Sequence, residues 1–296
     1  MFGESPRFLF VTNPKAGNHS ENLAGMISSS LGGRAVCEIR ETARAGHATQ
    51  LAEEGVASGY DAVVAVGGDG TINEVGRALV ASQVPMGILP AGSGNALAKC
   101  LGHSLDRSTA CEQLLSGRIR SIDVGHLGEE IFLTTAGIGL DAEVCKRFNT
   151  GSGRRGIWPY VRQSLACVLT YKAQPYRLFL DEDSDCLCVC PSLLTLANSA
   201  AFGYGAEIAP GALPDDGLLD VCIVEEMTIV RALVNAHRLF NGTFDQTPGV
   251  TRCRVTRLRI EREAPGPIQV DGESRMGDAS LEVTLSSGGL DVIVPA

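Results

Sequence analysis

The sequence lacks several features that would assign it to common classes of protein. Its 296 residues contain no apolar run near the ~20 residues that a membrane-spanning helix requires. The opening stretch, MFGESPRFLF, has no cationic start, and its apolar run is too short for a secretory signal peptide. The formal net charge is −9, which argues against nucleic acid as the main partner. We therefore expect a soluble, cytoplasmic protein.

Cysteine is present, but not in the spacing of a metal site. None of the ten cysteines forms a CxxC pair, so the sequence gives no indication of a zinc site. Ten cysteines in a chain of this length also do not make a disulfide scaffold. Cys186, Cys188 and Cys190 alternate along a predicted strand and therefore share one of its faces. We predict that they are buried, reduced thiols.

The pattern of apolar residues divides the chain into two domains. Hydrophobic residues make up 44% of the sequence, enough for a sizeable core. Up to residue 121, short apolar runs alternate with helical periodicity, which is typical of a parallel sheet with helices on both faces. From residue 122, closely spaced apolar runs predict an antiparallel β-sandwich interrupted by helices at 157–172 and 228–240. The predicted fold is an α/β N-terminal domain, residues 1–121, and a C-terminal β-sandwich domain, residues 122–296.

A glycine-rich loop, GGDGT at 67–71, joins the predicted strand DAVVAV to an amphipathic helix. The backbone N–H groups of such a loop can bind phosphate, and glycine permits close approach and positive φ. No GxxxxGK[ST] P-loop occurs, and Asp69 would repel phosphate unless a cation lay between them. We therefore interpret Asp69 as an anchor for Mg²⁺, through water. The alternative is a T-x-x-E capping box of Thr71 and Glu74, which needs no ligand.

Three other loops contain glycine. GIGLDA at 137–142 matches a dinucleotide fingerprint, but residues 144–180 contain no acid to hold a ribose, which disfavours a Rossmann NAD site. NPKAG at 13–17 and PAGSGNALA at 90–98 follow predicted strands, as GGDGT does. Because parallel strands place their carboxyl ends at one edge of a sheet, we predict that these two loops and GGDGT converge on one ligand.

Five motifs together point to a family. They are VTNPKAG, AVGGDGTINEV, GILPAGSGNALA, APGALPDDGLLDV and IQVDGE. In this order and spacing they resemble the diacylglycerol kinase catalytic-domain family, which includes bacterial lipid kinases and the sphingosine and ceramide kinases, with NAD kinases as more distant relatives. The resemblance covers nearly the whole chain. It implies an α/β nucleotide domain followed by a β-sandwich, with ATP in the cleft between them.

The resemblance also implies roles for individual residues. The ATP contacts would be Asn13, Pro14, Lys15, Ala16, Gly17, Thr42, Gly67, Gly68, Asp69, Gly70, Thr71, Ile72, Asn73 and Ser93. Asp271 and Glu273, in the DGE motif, match acidic positions associated with deprotonating the lipid hydroxyl, and Asp69 would complete the catalytic set. A structural Mg²⁺ would be bound by the Asp216 carboxylate and the backbone carbonyls of Leu213 and Leu218. Asp141 falls where sphingosine kinases use an aspartate for the lipid headgroup, and it can equally cap the following helix.

We hypothesise an ATP- and Mg²⁺-dependent lipid kinase of phospholipid metabolism. It would transfer the γ-phosphate to a hydroxyl of diacylglycerol or a related lipid such as a sphingoid base. The alternatives are an NAD kinase-like enzyme with a soluble substrate and a catalytically silent nucleotide-binding or membrane-adaptor protein. Whether the protein forms a homodimer stays an open question.

A basic segment suggests which part of the protein would contact the membrane that contains the lipid. The acid-free residues 144–180 contain Trp158, Tyr160 and seven cations, namely Lys146, Arg147, Arg154, Arg155, Arg162, Lys172 and Arg177. Such a composition predicts peripheral contact with anionic headgroups at the inner face of the membrane or, alternatively, a solvated helix and loop.

Overall fold

The structure, a computed structural model, describes residues 2–14, 22–150, 167, 170–181, 185–203 and 205–296, without the side chains of 148–150 and 203. The chain forms two compact units. The first comprises residues 1–122 and 288–296, and the second comprises residues 123–287. The predicted division gave every residue after 121 to the second domain, whereas the last nine residues belong to the first unit.

The first unit is built on a parallel sheet. Its four strands have the order β2-β1-β3-β4, and the end of the last strand of the chain adds to β4 through a parallel pairing of Val292 with Met86. The strands are β1 (Arg7–Thr12), β2 (Val36–Glu41), β3 (Ala62–Gly67) and β4 (Met86–Pro90). The helices are α1 (Leu23–Leu31), α2 (His47–Ala57), α3 (Asp69–Leu79), α4 (Ala96–Cys100) and α5 (Arg107–Ser116).

Both faces of this sheet are covered by helices. β1, β3 and β4 are almost wholly buried, which explains their near-continuous apolar sequences. Alternate residues face opposite sides, so Phe8 and Phe10 pack with Ile27 of α1 and Leu114 of α5. On the other side, a Cβ on Gly55 of α2 would lie 2.7 Å from the Leu9 side chain, so that helix lies directly on the sheet. The predicted parallel α/β domain is confirmed.

The second unit consists mainly of antiparallel strands. Strand β5 (Arg118–Leu127) enters it from the first unit, and β18 (Ser280–Val294) leaves it. Between them lie α6 (Leu140–Thr150), α7 (Ile229–Asn235) and short 3₁₀ turns at Ala236–Leu239 and Phe244–Gln246. The remaining strands are β6 (Glu130–Phe132), β7 (Thr135–Gly139), β8 (Tyr176–Leu180), β9 (Leu187–Val189), β10 (Pro191–Ala197), β11 (Ala201–Gly203), β12 (Ala206–Glu207), β13 (Leu219–Glu225), β14 (Val250–Val255), β15 (Arg257–Glu261), β16 (Gly266–Val270) and β17 (Glu273–Gly277).

Two layers of this unit share one core. One layer is the six-stranded sheet β14-β13-β10-β7-β16-β17, and the other contains β9, β8, β15 and the first part of β18. Leu196, Val221 and Ile268 from the first layer pack with Leu178 and Leu258 from the second. This is the arrangement of a β-sandwich, in which the inner faces of two sheets interdigitate. The predicted antiparallel C-terminal domain is also confirmed.

The prediction for the cysteine cluster is wrong in one respect. Cys186, Cys188 and Cys190 do alternate along and beside β9, but all three are exposed. β9 is the edge strand of its sheet, and Val189 packs against the core, so the cysteines take the solvent face. Among the described residues, no helix is long and apolar enough to cross a membrane.

Candidate functional site

The predicted nucleotide loops of the first unit follow neighbouring parallel strands. Asn13 follows β1, and its N–H donates to the carbonyl of Val66 in β3 at 3.2 Å. Thr42 follows β2, and its N–H donates to the carbonyl of Thr12 at 2.8 Å. Since these strands are parallel neighbours, their loops emerge at the same edge of the sheet, as predicted. Lys15, Ala16 and Gly17 lie outside the described residues.

The other predicted ATP contacts differ in accessibility. Pro14 and Ser93 are exposed, and Asn73 is half-buried. Thr71 and Ile72 are buried inside α3, so a ligand at this edge would meet backbone there rather than their side chains. The Ile72 N–H already donates to the Gly68 carbonyl at 3.1 Å, so a phosphate would be bound by N–H groups that precede Ile72.

The Asp69 carboxylate joins two of these loops. Its Oδ2 accepts a hydrogen bond from the Asn95 N–H at 2.9 Å, and its Oδ1 accepts one from the Ala96 N–H at 2.6 Å. Ala96 begins α4, so Asp69 binds N–H groups that the helix cannot pair internally. These donors stabilise a carboxylate in the glycine loop without any metal ion. The predicted contact of Asp69 with Mg²⁺ would be an additional one.

The glycines of the two loops are required by contact between the loops. A Cβ on Gly68 would lie 3.1 Å from the Cα of Gly92, and a Cβ on Gly92 would lie 2.4 Å from the Cα of Gly68. A Cβ on Gly94 would lie 2.6 Å from Asp69 Oδ2. Gly67, Gly68, Gly92 and Gly94 are not among the glycines with positive φ, so close approach, rather than backbone conformation, is the reason for glycine here. The space that a side chain would fill is occupied by the other loop's backbone at Gly68 and Gly92 and by the Asp69 side chain at Gly94.

Asn95 is a site residue that the sequence reasoning missed. Its side chain closes the loop by accepting from the Gly92 N–H at 3.0 Å and donating to the Gly92 carbonyl at 2.8 Å. Its backbone has φ of +52°, a left-handed conformation that asparagine tolerates better than most residues. The sequence signal was the asparagine after S-G, directly ahead of a helix.

The capping box that was the alternative explanation for Thr71 and Glu74 does not form. Helix α3 begins at Asp69 with Gly68 as its N-cap, so Thr71 lies inside the first turn. Glu74 instead accepts hydrogen bonds from the backbone N–H groups of Gly46 at 2.9 Å and Ala48 at 3.0 Å, at the start of α2. Glu74 therefore caps a neighbouring helix, as Asp69 does.

In the second unit, Asp271 is the most extensively bonded of the predicted catalytic acids. Its carboxylate accepts from the N–H groups of Leu133, Thr134 and Thr135 at 2.8 to 3.1 Å and from the Thr134 hydroxyl at 2.6 Å. Asp271 is buried and has φ of +46° in the turn between β16 and β17. These bonds attach that turn to the connection between β6 and β7 and to the first residue of β7.

Glu273 lies two residues along the same hairpin in different surroundings. Its side chain is 43% exposed and pairs with the Arg275 guanidinium at 3.6 Å. Gly272, between the two acids, has φ of +81° and donates its N–H to the Gln269 side chain at 2.9 Å. The DGE motif thus contains one buried, fixed carboxylate and one accessible carboxylate.

Asp141 is a buried acid at the start of α6. Its Oδ1 accepts from the Ala142 N–H at 2.7 Å, whereas Oδ2 has no hydrogen-bond partner among the described residues. Burial raises the pKa of Asp141 to about 7. Gln269, next to the DGE turn, lies close to this carboxyl, so Asp141 and DGE belong to one polar region of the second unit.

A further carboxylate lies beside the predicted metal turn at 213–218. Asp123, buried within β5, accepts from the Gly217 N–H at 2.7 Å and donates its own N–H to the Pro214 carbonyl. Asp216 accepts from the Leu218 N–H at 3.1 Å and lies 3.6 Å from the Arg254 guanidinium. Carboxylate and carbonyl oxygens are the donors that Mg²⁺ prefers, so the turn fits this metal by donor type. Asp123 was not predicted as a site residue. The sequence signal for it was an acid inside the mainly apolar run SIDVGHL.

The basic segment is only partly described. Arg154, Arg155, Trp158, Tyr160 and Arg162 lie outside the described residues. Two of the remaining cations are paired with acids: Arg147 with Glu143 at 2.9 Å and Arg177 with Glu261 at 2.5 Å. The predicted membrane contact of residues 144–180 therefore stays a prediction.

Comparison with known proteins gives a family match for each part of the chain. The family model of the diacylglycerol kinase catalytic domain matches residues 7–127. That of the YegS C-terminal NAD kinase beta sandwich-like domain matches residues 134–294. The two matches cover the units that contain the glycine loops and the DGE motif, respectively.

Individual relatives match most of the chain. A Pseudomonas fluorescens protein named "Probable lipid kinase YegS-like" is 31% identical over 263 residues, covering 87% of this chain and 85% of its own. A Mycobacterium tuberculosis diacylglycerol kinase is 29% identical over 233 residues, covering 76% and 74%. The crystal structure of a Bacillus anthracis diacylglycerol kinase has the same fold, with a TM-score of 0.73 at 20% identity over 98% of this chain and 97% of its own. This chain is a kinase that belongs to the diacylglycerol kinase catalytic-domain family.

Proposed function

We propose that this chain transfers the γ-phosphate of Mg²⁺-bound ATP to a hydroxyl of diacylglycerol or a related lipid. The observation that carries the proposal is the joined pair of loops, GGDGT and PAGSGN, at the carboxyl edge of the first unit's parallel sheet. In open α/β sheets this edge is where ligands bind. Membership of the diacylglycerol kinase catalytic-domain family supports lipid as the acceptor.

The first unit would bind the nucleotide through its backbone. The N-terminus of α3 carries a partial positive charge, and Gly68 and Gly70 leave its first N–H groups open to phosphate oxygens. Asn13, Thr42 and Ser93 follow three other strands at the same edge and would contact the rest of the nucleotide. When bound, Mg²⁺ would neutralise charge on the phosphates, and Asp69 would contact it through water.

The second unit would position and activate the acceptor. Glu273 has the accessible side chain and can take the proton of a bound hydroxyl, whereas Asp271 fixes the turn that carries it. Asp141, close to the same turn, would contact the polar headgroup of the lipid. In this proposal nucleotide and acceptor are held by different units.

The turn at 213–218 would have a structural task. A Mg²⁺ bound by Asp216 and the carbonyls of Leu213 and Leu218 would hold the turn before β13 in place. Asp123, which already binds this turn through Gly217, adds a buried carboxylate beside it. Removal of Mg²⁺ by chelation should then lower stability as well as activity.

One observation favours a second candidate, an NAD kinase-like enzyme. The second unit matches a family model described as NAD kinase beta sandwich-like. Such an enzyme would use the same nucleotide loops but accept phosphate on a soluble dinucleotide.

Labelled ATP separates the two candidates. The protein is incubated with γ-labelled ATP and Mg²⁺ in mixed micelles that contain diacylglycerol, monoacylglycerol, sphingosine or ceramide, and with NAD in a parallel reaction. We expect label in the phosphorylated product of one or more lipids and none in NADP. Label in NADP alone would contradict the proposal, and so would hydrolysis of ATP with no labelled acceptor.

A further inference from the structure

The second unit exposes an apolar surface that its fold does not explain. Val230, Leu233 and Val234 of α7 are 71%, 64% and 65% exposed, and Phe240, just beyond the helix, is 60% exposed. The spacing 230, 233, 234 and 237 is that of one helical face, which His237 completes at the surface. We call Val230, Leu233, Val234, His237 and Phe240 the α7 surface. Large apolar side chains grouped in this way mark an interaction site more often than isolated ones do.

The helix is held in this orientation from both ends. The Thr228 hydroxyl caps α7 by accepting from the Arg231 N–H at 3.3 Å. Met227 before the helix, and Leu239 and Phe244 after it, pack on a core cluster that includes Ile208 and Cys222. These contacts fasten the opposite side of the segment to the protein. The α7 surface is therefore the solvent-facing side of a helix whose orientation is fixed by these contacts.

The charge of the segment differs from that of the whole chain. Residues 227–244 contain no Asp or Glu, whereas the protein has a formal net charge of −9. The adjoining acids are the exposed Glu225 and Glu226 before this stretch and Asp245 after it. They contain Arg231, His237 and Arg238, and Arg231 and His237 are exposed beside the apolar side chains. Apolar side chains flanked by cations on a short helix are the composition of elements that lie in the interface of an anionic bilayer.

We propose that the α7 surface docks this kinase on the surface of an anionic lipid bilayer. The inference rests on the proposed function, because a lipid acceptor with long acyl chains stays in the bilayer and the enzyme must reach it there. Val230, Leu233, Val234 and Phe240 would enter the acyl boundary, and Arg231 and His237 would contact headgroup phosphates. In sequence, the α7 surface lies outside both the DGE motif and the basic segment 144–180.

Vesicle sedimentation tests this docking without nucleotide. The double variant Val230→Asp/Leu233→Asp is compared with Leu105→Asp, which changes a leucine that is 54% exposed in the first unit. On vesicles of phosphatidylcholine and phosphatidylglycerol, we expect the partition coefficient of the double variant to fall at least about tenfold, since two apolar contacts are lost. Leu105→Asp should bind as the unchanged protein does. Equal binding by all three proteins, or no binding by any, would overturn the proposal.

A transfer assay distinguishes failure of docking from failure of the proposed function. With a short-chain diacylglycerol dissolved as monomers, the double variant should keep the unchanged protein's kcat/KM, whereas its rate on vesicle-borne diacylglycerol should fall with binding. Absence of transfer by every protein would refute the proposed function, and the sedimentation result would still decide whether the surface docks. A variant that converts a dimer to a monomer in sedimentation velocity without changing vesicle binding would overturn the proposal in favour of a second copy of the chain.

Discussion

At the scale of single residues, the two acids of DGE have different surroundings and therefore different expected roles. Asp271 accepts four hydrogen bonds from residues 133–135, whereas Glu273 is half-exposed and, among the described residues, pairs with Arg275. The motif alone could not distinguish them, because the partners of Asp271 are about 140 positions away in sequence. Only the fold brings Leu133, Thr134 and Thr135 to this carboxylate.

Substitution of each acid should separate positioning from chemistry. Asp271→Asn places an amide NH₂ among N–H donors, so we expect the free energy of unfolding to fall by at least about 2 kcal/mol, together with the activity. Glu273→Gln should change stability by less than ~0.5 kcal/mol, because an exposed ion pair contributes little, yet lower kcat strongly. Urea denaturation and the labelled-ATP assay measure the two effects. Full activity in Glu273→Gln would refute its assigned role.

Asp141 should make stability depend on pH. Burial raises its pKa in the folded protein to about 7, so the folded state holds a proton that the unfolded state has released above about pH 4. The stabilisation is complete below the unfolded pKa and is lost as the pH rises through 7. We expect Asp141→Asn, which stays neutral, to flatten the decline in unfolding free energy between pH 5 and pH 8. An unchanged pH dependence would show that this carboxyl is not the titrating group.

At the scale of helices and loops, the sequence predicted the elements better than their connections. Apolar periodicity gave the strands and helices of the first unit because burial on a sheet imposes that pattern. It did not give the caps, because Asp69 and Glu74 bond to backbone groups 26 to 28 residues away. A local T-x-x-E match therefore suggested a cap within α3, whereas the glutamate serves α2.

Removal of the Glu74 carboxylate should destabilise α2. Glu74→Ala leaves the Gly46 and Ala48 N–H groups without their acceptor, so we expect unfolding free energy to fall by about 1 to 2 kcal/mol. Glu53→Ala, on the exposed face of α2, is the matched control and should have an effect below ~0.5 kcal/mol. Urea denaturation of both variants provides the comparison. Equal effects of the two substitutions would contradict the capping role of Glu74.

At the scale of the whole molecule, the order of motifs predicted both units and their family. The sequence did not indicate that residues 288–296 return to the first unit, since a terminal strand has no local signal of which sheet it joins. Nor did apolar content distinguish the exposed α7 surface from a buried helix face. Helical spacing of apolar residues is the same whether the partner is a protein core or a bilayer.

The central claim is that the first unit binds the nucleotide and the second supplies the acid for transfer. Gly92→Ala inserts a Cβ 2.4 Å from Gly68 Cα and should push the two loops apart. Gly3→Ala is the control, because a Cβ there meets nothing within 4 Å. Circular dichroism checks that each variant remains folded.

The most direct test measures Mg²⁺–ATP binding and single-turnover transfer to diacylglycerol on the same variants. We predict that Gly92→Ala weakens ATP binding at least about tenfold, whereas Glu273→Gln binds ATP normally and transfers its phosphate at least about a hundredfold more slowly. Normal ATP binding by folded Gly92→Ala, or normal transfer by Glu273→Gln, would contradict the account.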